Sequence, residues 1–205
     1  DSDDGIYRLG EGLHERRRQQ ESGRLPAPAT WDGTWWFATV VADRRSTAER
    51  RAHRSRMSGA RFGELRPDTW IRPANVAAPA QLALLTRGPI VSGDEQDLVH
   101  RLWNLGALDG RADALRGELE HVATGLSDDA PRRRSDGGPD AGLADTFVVL
   151  AAALRHLRTE PRLPTALAPS DRADRLRTTY ADVERLFQAA LADFFARRGV
   201  STDGR

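Results

Sequence analysis

The stretch Thr34-Trp35-Trp36-Phe37-Ala38-Thr39-Val40-Val41 decides the fold. It is rich in aromatic and β-branched residues, lies between polar flanks and lacks a clean alternation of apolar and polar positions. That is the pattern of a strand covered on both faces, so it reads as the central strand of a sheet. Downstream, Ser46 and Glu49 stand three apart in the capping pattern S-x-x-E and start a helix that runs to Met57 before Gly59 stops it. Phe62 to Leu65 and Thr69 to Pro73 are two extended runs around the turn Arg66-Pro67-Asp68, which makes a hairpin. A weak helix over about Ala80 to Arg87 and a short run Pro89-Ile90-Val91 complete the order βαββαβ. The fold class is therefore α+β, with a split βαβ, or ferredoxin-like, domain over residues 31–92.

Residues 1–30 have no core of their own. Ile6, Tyr7 and Leu9 read as a short strand, Arg16-Arg17-Arg18 lies in a polar helix-forming stretch, and Pro26 and Pro28 stiffen a linker that ends near residue 30. Residues 93–205 read as an all-helical C-terminal domain. Ser92 and Glu95 form a second capping pair, followed by an apolar stripe of Leu98, Val99, Leu102, Trp103 and Leu105. A second helix places Ala112, Leu115, Leu119 and Val122 on one side. The segment 127–142, with Pro131, Gly137, Gly138 and Pro139, reads as a mobile loop. Leu143 to Leu157 form a third helix, ended by Pro161. In the last helix Leu176, Tyr180, Val183, Phe187, Ala190 and Phe194 recur at 3.5-residue spacing, which suits a helix laid along another in the same chain or in a second copy.

Composition removes whole classes of function. The 205 residues carry 31 basic and 30 acidic side chains, every basic one an arginine, and no cysteine. Without lysine there is no phosphate loop of the Gly-Lys-Ser/Thr kind and no Schiff-base chemistry. Without cysteine there is no disulfide, thiolate zinc site or thiol nucleophile, which suits a reducing cytoplasm. No apolar run approaches the roughly 20 residues that cross a bilayer, so no membrane partner is expected. His14, His53, His100, His121 and His156 lie singly on different segments. No metal or other cofactor is expected, and no enzymatic function either, because neither paired catalytic carboxylates nor a nucleophile with its base is recognisable.

The order of motifs resembles one family. Tyr7-x-Leu9 followed by Gly12, then Trp31-Asp32-Gly33-x-Trp35, the arginine-rich helix with Arg50, Arg51, Arg54 and Arg56, Phe62-Gly63-x-Leu65, and Pro67-x-x-Trp70-Ile71-Arg72-Pro73 are similar to the PaaX family of bacterial transcriptional repressors. Leu102-Trp103-x-Leu105 and Pro161-x-Leu163-Pro164 resemble that family's C-terminal landmarks, and the likeness spans about residues 6–195. It implies a winged helix-turn-helix DNA reader, a Cas2-like ferredoxin-like middle domain and a helical C-terminal domain. This chain would begin where the wing ends, so most of the reader is absent from it. It also carries Ser170-Asp171-Arg172-Ala173 where the family tends to have a Trp and a Gly.

The resemblance implies a cytoplasmic homodimer that binds operator DNA and responds to an effector, an acyl- or aryl-coenzyme A thioester. Arg8, Arg16, Arg17 and Arg18 are the candidate DNA contacts. By residue type, Trp35, Arg54, Arg56, Trp70, Arg72, Arg101 and Trp103 are the candidate ligand contacts, aromatic rings for the acyl part and guanidinium forks for phosphates. Two other readings stand beside this one: a Cas2-like metal-dependent nuclease using Asp43, and a plain dimerisation module.

Overall fold

A computed structural model describes residues 2–3, 6–7, 24, 30–40, 45–77, 84–91, 93–127 and 139–197. These form β1 (Ser2–Asp3), β2 (Ile6–Tyr7), β3 (Thr34–Thr39), α1 (Thr47–Gly59), β4 (Gly63–Arg66), β5 (Thr69–Pro73), β6 (Leu84–Pro89), α2 (Glu95–Leu102), α3 (Leu105–Ser127), α4 (Pro139–Thr159) and α5 (Arg172–Arg197). β1 and β2 make a small antiparallel pair, and the main sheet is antiparallel in the order β4-β5-β3-β6. β3 sits inside it, with Phe37 opposite Ile71 on one side and Thr86 on the other. With this four-stranded sheet and the helical region behind it, the chain is α+β.

Both faces of β3 are covered because its residues alternate between them. Trp35 and, more openly, Phe37 pack with Ile71, Leu98 and Val99, so α2 closes that side. Ala38 and Trp36 turn the other way, toward Met57 of α1, Phe62 and Trp70. α1 begins as its sequence dictates: the Ser46 hydroxyl accepts from Glu49 N at 3.2 Å while the Glu49 carboxylate accepts from Ser46 N at 2.7 Å. The hairpin turns at Asp68, whose φ of 65° is a left-handed conformation that Asp tolerates. Gly63 is required by contact: a Cβ there would lie 2.9 Å from Leu102 Cβ.

Three expectations are corrected. Leu84 to Arg87 are strand, not helix, and the final strand ends at Pro89 instead of continuing through Val91. Hydrogen bonding along the free side of β3 outweighs the modest helix propensity of the leucines there. The cap of α2 is Asp94, not Ser92: its Oδ1 accepts from Gln96 N and Asp97 N at 2.8 and 3.2 Å, just after Gly93 has turned the chain at φ 107°. α4 begins at Pro139, so residues 139–142 belong to a helix, with proline in the first position where its missing N–H costs nothing. The rest of the expected 127–142 loop lies outside the described residues apart from Ser127, which ends α3.

The apolar stripe 98–105 is broken after Trp103, where Asn104 caps α3 by accepting from Ala107 N at 3.0 Å. α3, α4 and α5 then pack on one another. Their core holds Leu115, Leu119, Leu150, Leu157, Leu176 and Tyr180, with Val122 and Phe187 at its margin. The first half of the α5 stripe is thus satisfied inside the chain. Arg24, before the sheet, ion-pairs with Glu184 of α5 and lies over the Tyr180 ring.

Candidate functional site

The expected aromatic pocket does not form. Trp35 is fully buried; its indole N–H donates to Glu95 Oε1 at 2.8 Å and its ring meets Trp31 edge-on at 5.7 Å. Trp103 borders the same core. Trp70 and Arg72 point to the opposite face, because positions 70 and 72 alternate with Ile71, so the sheet separates them from Trp35 and Trp103. Arg72, 3% exposed, donates to Ala60 O at 2.9 Å, Val76 O at 2.6 Å and Ala77 O at 2.7 Å, and lies over Phe62. It clips the end of α1 to the turn that follows β5. Arg54 and Arg56 are exposed on α1, Arg54 forked onto Glu64 at 2.9 and 3.1 Å.

Arg101 is exposed at the end of α2, near the carboxylate of Asp94. It stands at an open groove of about 380 Å³ lined by Phe37, Ile71, Ile90, Val91 and Leu98. Val91 is 93% exposed, an apolar side chain without cover among the described residues. A second open cleft, about 760 Å³, shares Ile90, Gly93 and Asp94 with the groove and reaches past Trp31 and Glu95 to Leu167, so it runs from the sheet unit to the segment that joins α4 and α5. The expected DNA contacts Arg8, Arg16, Arg17 and Arg18 lie outside the described residues, as does Asp43. Among the described residues no group of three His, Asp or Glu is placed to hold a metal, and no helix is long and apolar enough to cross a membrane.

Arg61, Arg162 and Arg177, which the sequence reading missed, lie at the junction of the sheet and the helical body together with Arg72, which it had named as a ligand contact. All four are buried there. Arg61 donates to Glu160 O at 2.9 Å and Leu157 O at 3.3 Å, the carbonyl end of α4, where the helix dipole favours a cation. The Glu160 carboxylate accepts from Arg177 at 2.5 Å and from Arg162 N at 2.8 Å, and Asn75 Nδ2 donates to Arg162 O at 2.7 Å. Burial, followed by the neighbouring guanidiniums, pulls Arg61 and Arg72 down to about 10, still cationic at neutral pH. Arg61 and Arg162 both take left-handed backbone, φ 67° and 54°, as the chain leaves α1 and α4. The only sequence signal was indirect: Glu-Pro-Arg directly after an apolar helix.

A buried histidine, His53, and a half-buried one, His156, flank these elements. His53 lies edge-on to Trp70 at 6.1 Å, His156 is on α4, and neither Nε2 has a hydrogen-bond partner among the described residues. Burial is the main cause that lowers both pKa values, with nearby arginines adding to it. The folded state therefore resists a proton that the unfolded chain accepts near pH 6.5. Stability should be level above about pH 7 and fall as the pH drops through about 6.5. Urea midpoints at several pH values check this, and replacing both histidines with glutamine should flatten the profile there.

The comparisons with known proteins agree with this architecture. Residues 28–89 match the model of the PaaX protein central Cas2-like domain. Over these residues the chain resembles the central domain of PaaX proteins. It is also similar in structure to the uncharacterized protein Rv0674 from Mycobacterium tuberculosis, with 28% identity and a TM-score of 0.63, covering 91% of this chain and 76% of that one. No curated protein matches it.

Proposed function

We propose that this chain is the effector-sensing and dimerising part of a PaaX-like regulator, controlling operator binding in response to an acyl- or aryl-coenzyme A type ligand. It acts in the cytoplasm, by binding and not by catalysis. The supporting observation is the groove that runs from Phe37 and Ile71 to Arg101 and opens beside the cleft toward Leu167. The apolar walls suit an acyl or aryl group, and the guanidinium suits its phosphate or carboxylate. α2 forms one wall and leads through Trp103 and Asn104 straight into α3. A ligand preferring one angle between sheet and helices shifts that equilibrium by its difference in affinity for the two arrangements, and a homodimer carries the angle to two operator half-sites.

Titration with a panel of coenzyme A thioesters and free aryl carboxylates, followed by tryptophan fluorescence, tests this reading. Arg101→Ala should weaken the best ligand by about 1.5 to 3 kcal/mol, the loss of a charge-assisted bond. Equal affinities for both proteins, or no saturable change with any compound, would rule the groove out.

A further inference from the structure

We propose that the outer face of α1 is a second DNA-contacting surface, one that grips the phosphate backbone beside whatever site the DNA reader occupies. The inference rests on the reading of the protein as a DNA-bound regulator. Its starting point is the arginine-rich helix, which the effector groove leaves unused. Thr47, Arg51, Arg54 and Ser58 follow one another at helical spacing along one side of α1, flanked by Arg50 and Ser55, and all six are exposed. No carboxylate lies among them. Glu49, the helix's one acid, is folded back onto Ser46 N and Oγ at 2.7 and 2.8 Å.

The guanidiniums of this stripe are available. Arg51 makes no hydrogen bond or ion pair with the described residues. Arg50 spends only its Nε, on Arg45 O at 3.2 Å. Arg54 pairs with Glu64 while remaining 66% exposed, the kind of solvated pair that a phosphate can replace. Between Arg45 and Thr69 the surface arginines 45, 50, 51, 54, 56 and 66 face three carboxylates, Glu49, Glu64 and Asp68, a surplus of three in a chain whose net charge is +1.

The chemistry favours nucleic acid over an acidic protein. Protein interfaces set their arginines around a core of aromatic or apolar side chains, and this stripe has no such core. Arginine with serine and threonine hydroxyls is the set that holds DNA phosphates. From Thr47 to Ser58 the helix extends about 16 Å at 1.5 Å per residue, which matches roughly five steps of duplex at 3.4 Å each.

The test measures anisotropy of the whole chain on a labelled 30-base-pair duplex of arbitrary sequence between about 25 and 200 mM salt. The slope of log affinity against log salt reports phosphate contacts, each worth about 0.9. Arg50→Gln/Arg51→Gln/Arg54→Gln should flatten the slope by about 2 to 3 and weaken low-salt binding at least tenfold, with an unchanged far-ultraviolet spectrum. Arg51→Gln alone, which loses no bond to the described residues, should remove about one contact and guards against a folding defect in the triple variant. Unchanged slopes in both variants would overturn the surface, as would salt sensitivity residing wholly in Arg16, Arg17 and Arg18; the regulator reading would survive that second result. Polyglutamate displacing the duplex at equal charge would overturn it in favour of an acidic protein partner. Because the groove at Arg101 is read by ligand fluorescence, failure there and failure here are told apart.

Discussion

Glu160→Ala is expected to lower the free energy of unfolding by about 3 to 5 kcal/mol, the usual cost of removing one member of a buried ion pair. The two side chains are among the least exposed charged groups described, Arg177 at 6% and Glu160 at 12%. Losing the carboxylate strands Arg177 beside Arg61 and Arg162, which already oppose one another through their charges. Asp174 remains as a partner for Arg177 at 2.7 Å, but it is half exposed and screened by water. For a chain of this length the melting temperature should fall by roughly 6 to 20 °C. Glu160→Gln keeps an acceptor and should cost less. A loss below about 1 kcal/mol in urea titrations of the alanine variant would mean that the junction is wetter than its geometry indicates.

Trp35→Ala should cost about 3 to 5 kcal/mol, the range for emptying a core aromatic site. The ring is fully buried between the sheet and α2, and its N–H satisfies a Glu95 oxygen, so the variant loses packing and a hydrogen bond together. Trp35→Phe should retain most of the packing and leave only the carboxylate without its donor. This comparison also decides between the two roles assigned to the residue. A ligand contact would lose affinity with little change in the urea midpoint, whereas a core residue loses midpoint first.

Much of the fold was legible because local signals agreed with the long-range result. Ser46 and Glu49 cap α1 as their spacing demands, and the aromatic and β-branched run at Thr34 does occupy the middle of the sheet. The failure at Leu84 to Arg87 has a definite cause: four residues of mild helix preference carry less weight than a row of unpaired groups along β3, and no local pattern reports that row. The site was less legible. Residue type alone gathered Trp35, Trp70 and Trp103 into one pocket, although the period of two along β5 puts Trp70 behind the sheet. The arginine junction was invisible for the opposite reason. Arg61, Arg162 and Arg177 are up to 116 positions apart and gain their meaning only from what the fold brings to them, the carbonyl end of α4 for Arg61 and the Glu160 carboxylate for Arg177.

The two outer strands of the sheet bear on how the chain behaves when it is crowded. β4 has four residues, alternates Glu64 and Arg66 about Leu65, and shifts register between those charges. β6 ends on Arg87, Gly88 and Pro89, the last with no N–H to offer. Short length, charge, a bulge and a proline are the devices that stop one molecule from adding its strands to another's. Fibrous growth by stacking of identical ladders is therefore blocked at both margins, and a concentrated solution should fail, when it does, through unfolded chains and not through the native sheet.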